Sequence, residues 1–121
     1  MAYSDPQSVT VDGSGATSLP RTASGVNAGS FTSNDGNVQL SVSSSLGKRT
    51  RRTARINLSK IAADPLISAQ NIKYSSSVYL VVDTPVTGFS VAELTTLVTG
   101  LTTWLTASTA ANTVKLLGGE N

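Results

Sequence analysis

The chain has 121 residues, a formal charge of only +2, and neither cysteine nor histidine. Its length is that of a single domain with a modest core, and the missing residue types exclude disulfides, thiolate zinc sites, cysteine nucleophiles and the commonest general base and metal ligand. The charge is local, because seven of the nine cations fall between Lys48 and Lys73 and no acidic residue lies between Asp35 and Asp64; that is an electrostatic footprint, not a generally basic protein.

The first residues, Met1 to Pro6, offer neither a basic start nor an apolar run, so no signal peptide is expected. The longest apolar stretches, Val78 to Val82 among them, fall far short of the roughly 18 residues of a membrane span. Together these predict a soluble protein made and used without export. Val9 to Val11 and Ala16 to Leu19 flank Asp12-Gly13-Ser14-Gly15, whose residues tolerate positive φ, and predict an N-terminal hairpin over residues 7–20 that Pro20 ends. The stretch holding Gly25, Asn27 and Gly29 reads as a loop. A short strand at Ser30 to Thr32 and a turn at Asn34-Asp35-Gly36-Asn37 follow.

From Val38 to Leu46 the chain alternates, with Val38, Leu40 and Val42 on one face and Gln39, Ser41, Ser43 and Ser45 on the other. Gly47-Lys48-Arg49 turns it into a second strand, in which Arg51, Thr53, Arg55, Asn57 and Ser59 oppose Ala54, Ile56 and Leu58. A hairpin of these two strands sets their polar faces side by side. After Asp64-Pro65, a long strand from Asn71 to Thr84 carries Ile72, Tyr74, Val78, Leu80 and Val82 on one face and Lys73, Ser75, Ser77, Tyr79 and Val81 on the other. Serine and threonine number 34, but apolar residues recur periodically among them, which signals polar strand faces instead of disorder.

The period changes after Pro85. Ser90-Val91-Ala92-Glu93 has the capping-box pattern, Phe89 and Leu94 are placed as a hydrophobic staple, and Val91, Leu94, Leu97, Val98, Leu101, Trp104 and Leu105 form an apolar stripe. A helix from about Val91 to Thr106 is predicted. Its interior threonines and Gly100 are weak helix formers, at a few tenths to about 1 kcal/mol each, so it depends on packing. A second short helix, from about Thr109 to Leu117, ends at Gly118-Gly119. The predicted fold class is α+β: an N-terminal hairpin, an antiparallel meander of about five strands over residues 30–84 and two C-terminal helices over residues 90–117. An apolar sheet face that two short helices barely cover calls for dimerisation.

The carboxylates Asp5, Asp12, Asp35, Asp64, Asp83, Glu93 and Glu120 fall mostly in turns and caps, without the spacing of an acid/base pair or a metal cluster. Asp12-Gly13-Ser14-Gly15 lacks the following helix and Lys-Ser/Thr pair of a phosphate loop. No enzyme activity, metal or cofactor is expected. The basic strand points instead to nucleic acid. Lys48 to Arg52 can be read simply as a solvated hairpin tip, but Arg55 projects mid-strand beside Thr53 and Asn57, in line with Arg51. Lys73 and Tyr79 share the corresponding face of the long strand, where Tyr79 is either a platform for an unpaired base or a packing residue.

The order of elements, with Ser8-Val-Thr-Val-Asp-Gly, Ser18-Leu-Pro-Arg-Thr, Gly47-Lys-Arg-Thr-Arg-Arg, Lys60-Ile-Ala-Ala-Asp-Pro-Leu-Ile and Val81-Val-Asp-Thr-Pro-Val, resembles the coat proteins of the small single-stranded-RNA bacteriophages, levivirus-like and of the uncultured type. The resemblance implies an interlocked homodimer, sheets joined edge to edge and helices packed across the partner's sheet through Leu94, Leu97, Val98, Leu101, Trp104 and Leu105. It implies assembly into an icosahedral virion shell in the bacterial host cytoplasm, packaging of single-stranded genomic RNA on the sheet, and repression of translation through an RNA hairpin, with no membrane or small-molecule substrate. Strand alignment carries the RNA contacts onto Gln39, Ser41 and Ser43, onto Thr53, Arg55 and Asn57, and onto the region of Ser77 and Tyr79. An arginine stands where the family usually has lysine, and Asn57 where it usually has an acid. The competing readings are a sequence-tolerant single-strand-binding module that never forms shells and an exported surface or pilus subunit, which the missing signal disfavours.

Overall fold

A computed structural model describes residues 3–11 and 16–120, in two compact units, Met1–Asp83 and Thr84–Asn121. In the first, β1 (Gln7–Val9) pairs antiparallel with β2 (Thr17–Leu19), setting Gln7 opposite Leu19 and Val9 opposite Thr17. The N-terminal hairpin is present, with its first strand two residues earlier than the Val9 to Val11 alternation suggests. The turn expected at Asp12 to Gly15 lies outside the described residues.

A five-stranded sheet follows in the order β3 (Arg21–Gly25), β4 (Ala28–Thr32), β5 (Val38–Ser45), β6 (Arg49–Ala63) and β7 (Asn71–Pro85). Strand β3 corrects the loop expected there. Thr22, Ala23, Ser24 and Gly25 have turn-like composition, but the backbone pairs with β4, with an irregularity between Arg21 and Ala23. The chain reverses through Asn27, which takes φ 57; asparagine enters this left-handed region more readily than most residues. Its carbonyl also accepts the amide of Ser44.

The β4–β5 turn is built as its sequence suggests. Gly36 takes φ 76, and the Asp35 carboxylate accepts the Ser33 hydroxyl and the Asn37 amide. The Ser33 hydroxyl oxygen accepts the Val38 amide at 3.1 Å. These bonds, led by that from Ser33, hold the Asp35 carboxyl below the ordinary aspartate value. At the β6–β7 turn, Asp64 accepts the Leu66 amide at 2.9 Å and gives its own amide to the Gln70 carbonyl.

The core lies where the hairpin meets the sheet. Leu19, Phe31 and Val38 are buried, and Val9, Val11, Leu40 and Leu58 pack around them. The register explains the grouping: Phe31 stands opposite Leu40 and Leu40 opposite Ile56, with Val38 opposite Leu58 on the same parity. Burying a side chain such as Leu19 or Phe31 is worth roughly 1.5–3 kcal/mol, so this small cluster holds β1 and β2 against the meander.

The second unit is dominated by α1 (Val91–Leu117), and its capping box is formed: the Ser90 hydroxyl accepts the Glu93 amide at 3.2 Å, and Glu93 accepts the Ser90 amide at 3.4 Å. Two separate helices were expected; the structure has one helical element interrupted by non-helical backbone from Ala107 to Ala110. The second segment therefore does not begin at Thr109, which has φ 56. Asn112 and Thr113 side chains donate to the carbonyls of Trp104 and Leu105, at 2.9 and 2.7 Å, replacing partners those carbonyls lose at the break. The threonine hydroxyls at 95, 96, 99, 102 and 106 each bond a carbonyl one turn back, which satisfies them within the helix. No residue of α1 is buried: Leu94, Val98 and Leu105 are half-buried, while Leu97, Leu101 and Trp104 are 67%, 45% and 53% exposed.

Candidate nucleic-acid interface

The polar faces of β5 and β6 lie side by side. Gln39 stands opposite Asn57, Ser41 opposite Arg55, Ser43 opposite Thr53 and Ser45 opposite Arg51. On β4, Thr32, Ser30 and Ala28 extend the same rows opposite Gln39, Ser41 and Ser43. Strand alternation puts Arg52 on the other face, so the cations at the hairpin tip do not act as one cluster.

Arg55 is the centre of the face. Its Nε donates to Asn57 Oδ1 at 2.9 Å and its Nη2 to Ser77 Oγ at 3.3 Å, while its guanidinium carbon lies 5.7 Å from the centroid of the Tyr79 ring, within cation–π range. Residues i and i+2 of a strand share a face, which is why Asn57 reaches the arginine two positions before it. Asn57 Nδ2 in turn donates to Gln39 Oε1 at 3.5 Å, and Gln39 Nε2 to Ser30 Oγ at 2.8 Å. A polar chain thus runs from β4 to β7 with Arg55 near its end.

An open groove of about 760 Å³ follows this face, lined by Ser43, Ser44, Ser45, Arg51, Thr53, Arg55, Ser77, Tyr79 and Val81. It holds two guanidinium groups, a row of hydroxyls and one exposed aromatic ring. That set can receive phosphates, ribose hydroxyls and the flat face of an unpaired base. Among the described residues no group of three or more possible metal ligands occurs.

Of the residues singled out in the sequence, Ser43, Arg51, Thr53, Arg55, Ser77 and Tyr79 meet in this groove. Gln39 and Ser41 line a neighbouring depression with Ala23, Gly25 and Ser30 on β3 and β4, and Asn57 joins the two through its hydrogen bonds. Lys73 is exposed on β7 and is not among the groove-lining residues. Ser44, Ser45 and Val81 line the groove without having been among the expected RNA contacts. Ser30, the support for Gln39, was hidden because its role depends on the β4–β5 register.

No protein-family model and no curated protein matches the sequence. Solved structures do. The virus-like particle of bacteriophage AVE019 has 13% identity and a TM-score of 0.78, over 94% of this chain and 95% of that one. The coat protein of bacteriophage EMS014 has 16% identity and a TM-score of 0.70, over 90% and 81%. The capsid protein of bacteriophage GA has 10% identity and a TM-score of 0.65, over 97% and 95%. At such identities the likeness is one of backbone and strand order, and it spans nearly the whole of each chain: this protein has the coat-protein fold of the single-stranded-RNA phages.

Proposed function

We propose that this chain is the capsid subunit of an RNA phage, which dimerises, assembles into an icosahedral shell in the bacterial cytoplasm and packages single-stranded genomic RNA against the polar face of its sheet. The observation that carries this reading is the uncovered apolar stripe of α1. A helical element over Val91–Leu117, broken at Ala107 to Ala110, with Leu97, Leu101 and Trp104 exposed and no residue buried leaves in water a surface worth about 25 cal/mol per Å² on burial. A second copy of the chain is the partner that the fold offers. Strand β7, 15 residues long, closes one side of the sheet, and an unpaired edge of that length is a template for another strand.

In the proposed dimer the two sheets join along β7, and each subunit's α1 packs across the partner's sheet, so that the two units of the chain act as one coat-protein domain. The solved structures that share this fold are coat and capsid proteins and a virus-like particle, which supports the shell. The groove around Arg55 faces the RNA, and a genomic hairpin bound there represses translation. The subunit performs no reaction.

The test is electron microscopy and light scattering of the chain expressed alone, with nuclease treatment of the product. Closed particles holding nuclease-protected RNA are expected. Small oligomers that bind single strands without forming shells would favour a nucleic-acid-binding module over a capsid.

A further inference from the structure

We infer that Arg55 reads a base: its guanidinium recognises the N7/O6 edge of an unpaired guanine, while Arg51 makes the phosphate contact beside it. This rests on the reading of the sheet face as the RNA surface.

The difference between the two arginines is how they are held. No hydrogen bond or ion pair of the Arg51 side chain occurs among the described residues, whereas the side chains of Arg49 and Arg55 are engaged, and a guanidinium in the open groove can meet a phosphate. Arg55 is fixed by Asn57, Ser77 and the Tyr79 ring, and its support is fixed in turn. The Asn57 amide group donates to Gln39, so its oxygen faces Arg55; the Gln39 amide group donates to Ser30, so its oxygen faces Asn57. All of these partners are neutral, so the full positive charge remains for a ligand. A held guanidinium plane serves a phosphate as well as a base edge; what favours the base is that this plane lies beside the Tyr79 ring, on which an unpaired base can stack.

The donors left over select the base. Of the five N–H groups of arginine, Nε–H and one on Nη2 are engaged. Both on Nη1 and the second on Nη2 remain, a donor-only fork pointing away from Asn57. Guanine presents two adjacent acceptors, N7 and O6, on one edge. On that edge adenine pairs its N7 acceptor with an amino donor and uracil has a single carbonyl; unpaired cytosine also offers adjacent acceptors, N3 and O2, but on a single ring with less face to stack on Tyr79. The fork therefore fits guanine, with the Tyr79 ring as the surface on which the purine or its neighbour stacks.

The test uses the purified full-length chain and RNA hairpins of one stem, whose four-nucleotide loops are uridine except for a guanine, adenine or cytosine at one position at a time. At the best loop position guanine should bind on the order of tenfold tighter than adenine. Inosine, which keeps N7 and O6, should match guanine, and 7-deazaguanine should fall to the adenine level. Arg55→Lys should abolish the preference while leaving the salt dependence unchanged, and Asn57→Ala should weaken the preference likewise. Equal binding of all loops, with Arg55→Ala weakening every one and making the salt slope shallower, would make Arg55 a phosphate contact and overturn the inference while the RNA-binding face stands. RNA binding unaffected by Arg51→Ala, Arg55→Ala and Tyr79→Ala together would overturn both.

Discussion

Arg49 and Asp83, 34 residues apart, form an ion pair between β6 and β7, Nε to Oδ1 at 3.2 Å. Arg55 reaches Ser77 across the same two strands; six residues on along β6 correspond to six residues back along β7, which is antiparallel register. The pair ties the meander at its open end and removes one charge from the basic cluster.

Arg49 should therefore contribute to the strand pairing and little to RNA. Both partners are about half exposed, and exposed pairs are worth about 0.2–1 kcal/mol. Arg49→Ala should lower stability by no more than that in chemical denaturation and leave the salt slope of RNA binding unchanged. A slope change as large as that of Arg51→Ala would show that the ion pair opens when RNA binds.

Arg51→Ala should make the slope of log K against log salt shallower by roughly 0.7–0.9, the loss of one phosphate contact. Its neighbours Ser45 and Thr53 need not move, so particle assembly should survive. An unchanged slope would exclude Arg51 as a phosphate contact.

Asp35 makes the β4–β5 turn sensitive to acid. Its carboxyl lies below the ordinary aspartate value because the charged form accepts from Ser33 and the Asn37 amide. A folded value below the unfolded one means stabilisation that is complete above about pH 4, the unfolded range, and lost as pH falls through the folded value. Melting temperatures measured from neutral pH into acid should show Asp35→Asn less stable than the parent at neutral pH, with the gap closing in acid. A gap independent of pH would mean the charge is not what matters.

Leu19 is fully buried and comes from the N-terminal hairpin, so Leu19→Ala should cost about 2–5 kcal/mol through lost contacts and a residual cavity. Leu66→Ala, at a position 93% exposed, should stay within about 0.5 kcal/mol. Equal denaturation midpoints for the two variants would show that the hairpin is not anchored through Leu19.

The β5–β6 hairpin was legible because both strands alternate strictly about a glycine-containing turn, so that Ser41 meeting Arg55 follows from the pattern. The Ser90/Glu93 capping box was legible because it is a contact of four consecutive residues. Strand β3 was not, since Thr22-Ala23-Ser24-Gly25 has no apolar alternation and becomes a strand only by pairing with β4. The interruption of α1 was visible as a gap between two apolar patterns, but not its form, because Ala107 to Ala110 contains neither glycine nor proline and takes its backbone from side chains one turn on, Asn112 and Thr113. At the site, the polar parity identified Arg55 and Asn57 as neighbours. Only coordinates distinguish an asparagine that contacts RNA from one that holds an arginine in place.

The apolar stripe of α1 gives the sharpest test of assembly. Leu101 lies mid-helix and is 45% exposed, whereas in the proposed dimer it is covered, and an unpaired charge buried there costs several kcal/mol, comparable with the stability of a domain. Thr103 is two residues on, about 200° around the helix, and so on the opposite side. Leu101→Asp and Thr103→Asp add the same charge and similar helix propensity to the same stretch. Light scattering and electron microscopy should find particles for Thr103→Asp and only small species for Leu101→Asp, with circular dichroism showing comparable helix in both. Particles from both variants would show that the stripe is not the surface through which subunits join.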